Sequence, residues 1–164
     1  RVNITEDVLK ALSDIPNIVA IKESAPDPRR FTDIINAFGN RYTLLAGLDD
    51  VAFEGFMLGA VGWVSGLTNA FPQESIQLVE ALRRNDLNRA RAIYRWFMPL
   101  LHLDTVPTLV QCIKLAEQLL GRGSEMVRAP RLRLEGEERA HVERVVKEAL
   151  ASRPRLPADL ARSR

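Results

Sequence analysis

Three short apolar runs, at residues 18–21, 42–46 and 61–65, alternate with two stretches of helical periodicity. Few folds accommodate that alternation. Each gap between runs is about the length that a parallel crossover requires. Right-handed crossovers bring the carboxyl ends of all three runs to one rim. Those ends carry Lys22, Gly47 and Ser65. In an α/β barrel that rim is where the chemistry sits, but a barrel needs eight strands and three do not close one. The pattern leaves two architectures: a small open sheet with a helical extension, or the last part of a barrel whose earlier strands are not in this sequence.

The helical stretches are marked by their ends. A short amphipathic segment with Val8, Leu9, Ala11 and Leu12 precedes the first run and is closed by residues 13–16. Asp27 and Pro28 read as the N-cap and first turn of a helix that presents Phe31, Ile34, Ile35 and Phe38 on one face and stops at Gly39. Gly47 permits a tight exit from the second run. Asp49 or Asp50 is placed to cap the next helix, with Phe53, Phe56 and Met57 on its apolar side and Gly59 at its end. After Pro72 the periodicity is helical only, over residues 75–84, then from Asp86 to near Pro99, then over 107–120 and 137–151.

Composition excludes more than it selects. The hydrophobic share of 46% and charged share of 27% are those of an ordinary soluble domain. No apolar run of membrane length and no signal-peptide pattern occurs, so a membrane partner is not expected and a cytoplasmic location is. The single cysteine, Cys112, excludes an internal disulfide and reads as a buried structural thiol. The net charge is only +2, and the arginines after Gly121 are interleaved with Glu135, Glu137, Glu138, Glu143 and Glu148. That mixture reads as a solvated helix face rather than a nucleic-acid stripe. His102 and His141 are far apart without carboxylates at ligand spacing, so no metal and no cofactor is expected. The stretch GAVGWVSG lacks the Gly-Lys-Ser/Thr ending of a phosphate loop. The chain begins at Arg1 rather than a methionine and reads as a piece of something longer.

Lys22 is the residue with the sharpest chemistry. It follows Ile18, Val19, Ala20 and Ile21 directly, and a strand of that kind is expected to be buried on both faces. An ammonium at such an exit is costly unless paired or neutralised. A desolvated lysine is a nucleophile able to form a Schiff base with a carbonyl compound. The alternative is a strand-end lysine whose head reaches water or Glu23.

Three motifs in order, NIVAIKES around Lys22, YTLLAGLDD around Gly47 and GAVGWVSGLTNAFP around Ser65, resemble the final three barrel strands of the dihydrodipicolinate synthase and N-acetylneuraminate lyase family of class I aldolases. The resemblance runs on through the helical region to Arg128-Ala129-Pro130. It implies an α/β fold, the C-terminal part of a (β/α)8 TIM barrel plus a helical C-terminal extension. The expected organisation is a partial barrel over 1–72, a helical region over 73–152 and a disordered tail over 153–164. Within the family, the wording of the strands and of YRWFMPLLHLD is most similar to 1-pyrroline-4-hydroxy-2-carboxylate deaminases of hydroxyproline breakdown. A 4-hydroxy-tetrahydrodipicolinate synthase or another 2-oxo acid aldolase is the alternative.

The resemblance implies roles residue by residue. Lys22 matches the lysine that forms the imine with substrate. Gly47 matches a glycine that lets backbone approach the substrate, although a plain turn glycine reads equally well. Val64 and Ser65 match a pair facing the substrate, although Ser65 is also placed to bond its own loop. Asp49 matches a position that contacts polyhydroxylated substrates in sugar-acid lyases, against its simpler reading as a helix cap. The family's Tyr-x-x-Pro-x-Arg, Gly-x-x-Gly-Glu and Thr-Thr elements do not occur here. Tyr42 opens a strand and Tyr94 lies in the helical region, so neither replaces the missing tyrosine. The expected partner is a small 2-oxo acid or cyclic imino acid, with a homo-oligomer, dimer or tetramer, for the full-length protein. These residues alone are expected to be inactive, or to act only in assembly.

Overall fold

The computed structural model describes residues 3–154. The chain divides into two compact units after Ser65.

In the first unit, helix α1 (Glu6–Leu12) leads into strand β1 (Ala20–Glu23), helix α2 (Arg29–Phe38), strand β2 (Thr43–Ala46), a 3-10 turn (Asp49–Val51), helix α3 (Ala52–Met57) and strand β3 (Gly62–Trp63). The strands form one parallel sheet in the order β1-β2-β3. Lys22 stands opposite Leu45, and Ala46 is opposite both Glu23 and Trp63. Strand side chains alternate between faces. Leu44 and Ala46 pack with Phe31, Ile34 and Ala52 in the core, and Ile21 and Trp63 lie against it. Gly55 of α3 has room for little more than a hydrogen, since a Cβ there would approach the Phe31 ring to 3.0 Å.

At the opposite end of the sheet, Arg41 fixes the connection into β1. Its guanidinium donates to the carbonyls of Ser13, Ile15 and Ile18 at 2.7, 2.8 and 2.8 Å, and it stacks 4.7 Å over the Tyr42 ring. The Tyr42 hydroxyl in turn donates to the Leu9 carbonyl of α1. One arginine thus satisfies three carbonyls of a loop that has no ladder of its own.

Three expectations are corrected. The first strand is not buried on both faces: Ala20 and Lys22 are exposed while Ile21 and Glu23 turn inward. The helices of this unit cover one face of the sheet, so alternation leaves the other uncovered. The strand also lies two residues later than the apolar run, which places Lys22 within it rather than after it. Pro28 rather than Asp27 takes the N-cap position of α2, and Asp27 instead accepts from the Arg29 N–H and clasps the Arg29 guanidinium.

The second unit is helical, with α4 (Pro72–Arg83), α5 (Leu87–Leu101), α6 (Leu109–Leu119) and α7 (Gly136–Ala151). Asp86 caps α5 through the Arg89 N–H as expected. Helix α5 continues past Pro99 to Leu101. Phe71, Leu78, Phe97, Leu100, Leu101, Leu115, Val142 and Val146 are its largest buried apolar side chains, with Leu67. The Trp96 indole donates to the Ala149 carbonyl at 3.0 Å, tying α5 to α7. Glu74 is fully buried in the first turn of α4 and accepts from Arg153. Of the tail expected from residue 153, residues 155–164 lie outside the described residues. No helix among the described residues is long and apolar enough to cross a membrane.

Candidate active site

The carboxyl ends of β1, β2 and β3 lie side by side, each held to the next by backbone. The Gly47 N–H donates to the Glu23 carbonyl at 2.8 Å, and the Val64 N–H to the Ala46 carbonyl at 2.9 Å. Lys22, Gly47 and Val64 therefore occupy neighbouring positions along one rim.

Lys22 is exposed on the uncovered face. Its neighbour Glu23 is buried at 7% exposure on the opposite face. That carboxylate accepts from the Ala25 N–H at 2.7 Å and from Arg30 Nε at 2.9 Å, so it is engaged away from Lys22. Arg30 also donates to the Ile4 carbonyl at 2.9 Å. A buried carboxylate stays in place because it is both paired and hydrogen-bonded, and here it fixes the exit of the lysine strand.

Gly47 is brought directly against the lysine. A Cβ at this position would fall 2.3 Å from Ser24 Oγ, 2.6 Å from Lys22 Cγ and 2.8 Å from the Glu23 carbonyl oxygen. No L side chain fits there without displacing the lysine stem, so Gly47 is more than a turn residue. Val64 is 45% exposed.

Nothing in the sequence links Ser65 to Asp49, and the structure joins them. Asp49 has no accessible surface. Its Oδ1 accepts from Trp63 Nε1 at 3.0 Å and its Oδ2 from Ser65 Oγ at 2.7 Å. Indole N–H groups only donate, so Asp49 acts as the acceptor of two donors from β3 and the residues after it. The helix-cap reading of Asp49 is corrected: Leu48 holds the N-cap position of the 3-10 turn, and no side chain caps it. The signal available in the sequence was the two-residue spacing of Trp63 and Ser65, which puts both on one side of an extended segment. Nothing local announced that Asp49 would reach both, nor that Arg30 would reach Glu23.

Among the described residues no cluster of three or more His, Cys, Asp or Glu is placed to hold a metal. Cys112 is buried, and burial raises its thiol above the ordinary value. What the rim offers is an accessible primary amine, a backbone-lined clearance beside its stem, and two braced strand exits.

Comparison with known proteins sets this geometry in context. The sequence profile of the dihydrodipicolinate synthetase family matches residues 1–149. The chain is 32% identical over 148 residues to a 4-hydroxy-tetrahydrodipicolinate synthase of Syntrophus aciditrophicus, covering 88% of this chain and 50% of that protein. It is 32% identical over 161 residues to a protein of the same description from Thermomicrobium roseum, covering 98% and 52%. Among solved structures, the dihydrodipicolinate synthase of Aquifex aeolicus matches with a TM-score of 0.81 at 30% identity, over 89% of this chain and 50% of that one. The chain spans about half the length of the curated relatives it matches.

Proposed function

The chain belongs to the dihydrodipicolinate synthetase family, and on that premise we propose that it carries the nucleophile of a Schiff-base-forming lyase, with Lys22 as the attacking amine. Its sheet and helices correspond to the C-terminal part of a (β/α)8 barrel, the last three strands and the helical extension. The observation that carries the proposal is the placement of Lys22: an accessible amine at the carboxyl rim, with Gly47 leaving space beside its stem. Function in barrels is built at that rim.

In this reading the neutral amine of Lys22 adds to the C2 carbonyl of a 2-oxo acid. A carbinolamine forms, water leaves, and the resulting imine, once protonated, draws electrons from the adjacent carbon. That carbon then forms or breaks a bond, and hydrolysis returns the lysine. Gly47 keeps the stem unobstructed, and the backbone around Val64 borders the substrate. Ser65 acts through Asp49, to which its hydroxyl donates. Proton transfer belongs to groups that these residues do not include.

Two narrower reactions fit the same amine. Carbon–carbon bond formation is favoured by relatives described as 4-hydroxy-tetrahydrodipicolinate synthases. Deamination of 1-pyrroline-4-hydroxy-2-carboxylate is favoured by the wording of the strands and of residues 94–104. There, attack displaces the ring nitrogen, the hydroxyl leaves as water, and hydrolysis releases ammonia. A cytoplasmic homo-oligomer acting on a small molecule completes the reading.

Borohydride reduction in the presence of pyruvate tests it. The expected result is a covalent adduct on the peptide containing Lys22, absent from Lys22→Ala. A folded protein that gives no adduct overturns the proposal. Competition between pyruvate and the cyclic imino acid for Lys22 separates the two narrower reactions.

A further inference from the structure

We infer that Asp49 is a positioning residue for Lys22, acting through the loop at residues 47–49. The inference rests on the reading of Lys22 as the nucleophile. A carboxylate with no accessible surface is costly to bury and is held only by its partners. Both of its oxygens are engaged by donors from the end of the third strand, Trp63 Nε1 and Ser65 Oγ. Asp49 lies two residues after Gly47, so these bonds clamp the exit of β2 against the exit of β3.

The clamp reaches the lysine by contact. Gly47 sits where a Cβ would be 2.6 Å from Lys22 Cγ, and its N–H is bonded to the Glu23 carbonyl at 2.8 Å. The connected path is therefore Trp63 and Ser65 to Asp49, Asp49 along the loop to Gly47, and Gly47 against the stem of Lys22. With the clamp intact, the loop backbone limits the rotamers open to that stem. An exposed lysine otherwise has wide rotamer freedom. Holding a reacting group in one direction is worth far more to a bond-forming step than its accessibility is. Asp49 thus supplies orientation to an amine that its own strand leaves unconstrained.

The test separates orientation from accessibility on the full chain. Acetic anhydride reads how available each lysine is, with Lys10, Lys114 and Lys147 as internal references. Pyruvate with borohydride reads productive alignment at Lys22. Asp49→Asn keeps the shape but presents a donor to one of two donors. It is expected to lower pyruvate trapping about tenfold, a change that a sub-ångström misplacement of a reacting group accounts for. Acetylation of Lys22 is expected to stay level with the three references, because the amine is exposed with or without the clamp. Ser65→Ala and Trp63→Phe, milder should Asp49→Asn fold poorly, each give part of the loss of trapping, and Ser65→Thr restores alignment. Trapping at Lys22 that equals the parent protein's in all of these variants overturns the inference, as does a loss of trapping matched by an equal loss of acetylation. If pyruvate labels Lys22 in no protein, the parent included, while acetic anhydride does, the Schiff-base reading falls and the positioning role with it.

Discussion

A Cβ on Gly47 would stand 2.6 Å from the Cγ of Lys22, so the glycine leaves open the volume through which the lysine stem passes. Gly47→Ala displaces the Ser24 hydroxyl, which would be 2.3 Å away and can rotate, and then forces either that stem or the Glu23 carbonyl, which would be 2.8 Å away, to move. The carbonyl is fixed in the sheet by the Gly47 N–H itself, so the lysine gives way. Overpacking of this kind costs about 1–3 kcal/mol. The expected outcome is a modest loss of stability in urea unfolding together with a large loss of pyruvate trapping at Lys22. Trapping that survives Gly47→Ala at the original level contradicts the crowding argument.

The order of strands and helices was readable because apolar runs and cap residues are local signals. Asp86 ahead of Leu87 and Ala90 has the local pattern of a helix N-cap, and its side chain accepts from the Arg89 N–H. Burial was not readable in the same way. The run from Ile18 to Ile21 looks buried on both faces, yet which face is covered depends on partners distant in sequence. The helices of this unit cover one side only, leaving Ala20 and Lys22 exposed. Side-chain bonds across elements were the least legible. The Arg30–Glu23 pair and the Asp49 bonds join residues 7, 14 and 16 positions apart. Asp49 has the local pattern of a helix cap, but two donors that only the folded sheet brings near engage it instead. The rim itself follows from topology, which is why Lys22 and Gly47 lie together on it.

Arg30 is predicted to matter for the lysine strand without touching the lysine. Arg30→Met leaves the Glu23 carboxylate buried with only the Ala25 N–H as its remaining bond of the two. Removing one partner of a buried pair costs about 3 kcal/mol. Urea unfolding measures that loss. The double variant Glu23→Gln with Arg30→Met is expected to recover part of it, since no charge is then stranded. If both proteins lose the same amount, desolvation of Glu23 is not the cause.

Acid is expected to loosen residues 122–135 at their contact with α7. The Glu125 carboxylate accepts from Arg139, which also bonds Glu143 at 2.9 Å, and Arg133 approaches Glu125 at 3.8 Å. The hydrogen bond from Arg139 holds the Glu125 carboxyl below its ordinary value of 4.5. A depressed carboxyl contributes stability above the unfolded value and loses it as pH falls through the folded one. The contact is therefore complete above about pH 5 and weakens below the ordinary glutamate range. The methyl resonance of Met126, the next residue, should titrate in that acid window and cease to do so in Glu125→Gln. A Met126 signal that titrates unchanged in the variant rules out Glu125 as the group responsible.

These 164 residues by themselves are predicted to turn over no 2-oxo acid. Lys22 is exposed on the uncovered face of a three-stranded sheet, where water competes for a carbonyl compound. General acid–base catalysis contributes about 10²–10⁴-fold where a positioned group is present, and the Tyr-x-x-Pro-x-Arg element that the family resemblance implies is not in the sequence. Imine formation draws on the amine and its alignment rather than on that element, so trapping at Lys22 survives while turnover does not. Supplying a polypeptide that contains the earlier barrel strands and this element is expected to restore turnover in proportion to the complex formed. Turnover at the rate of a full-length relative by this chain alone means that the proton relay lies within these residues.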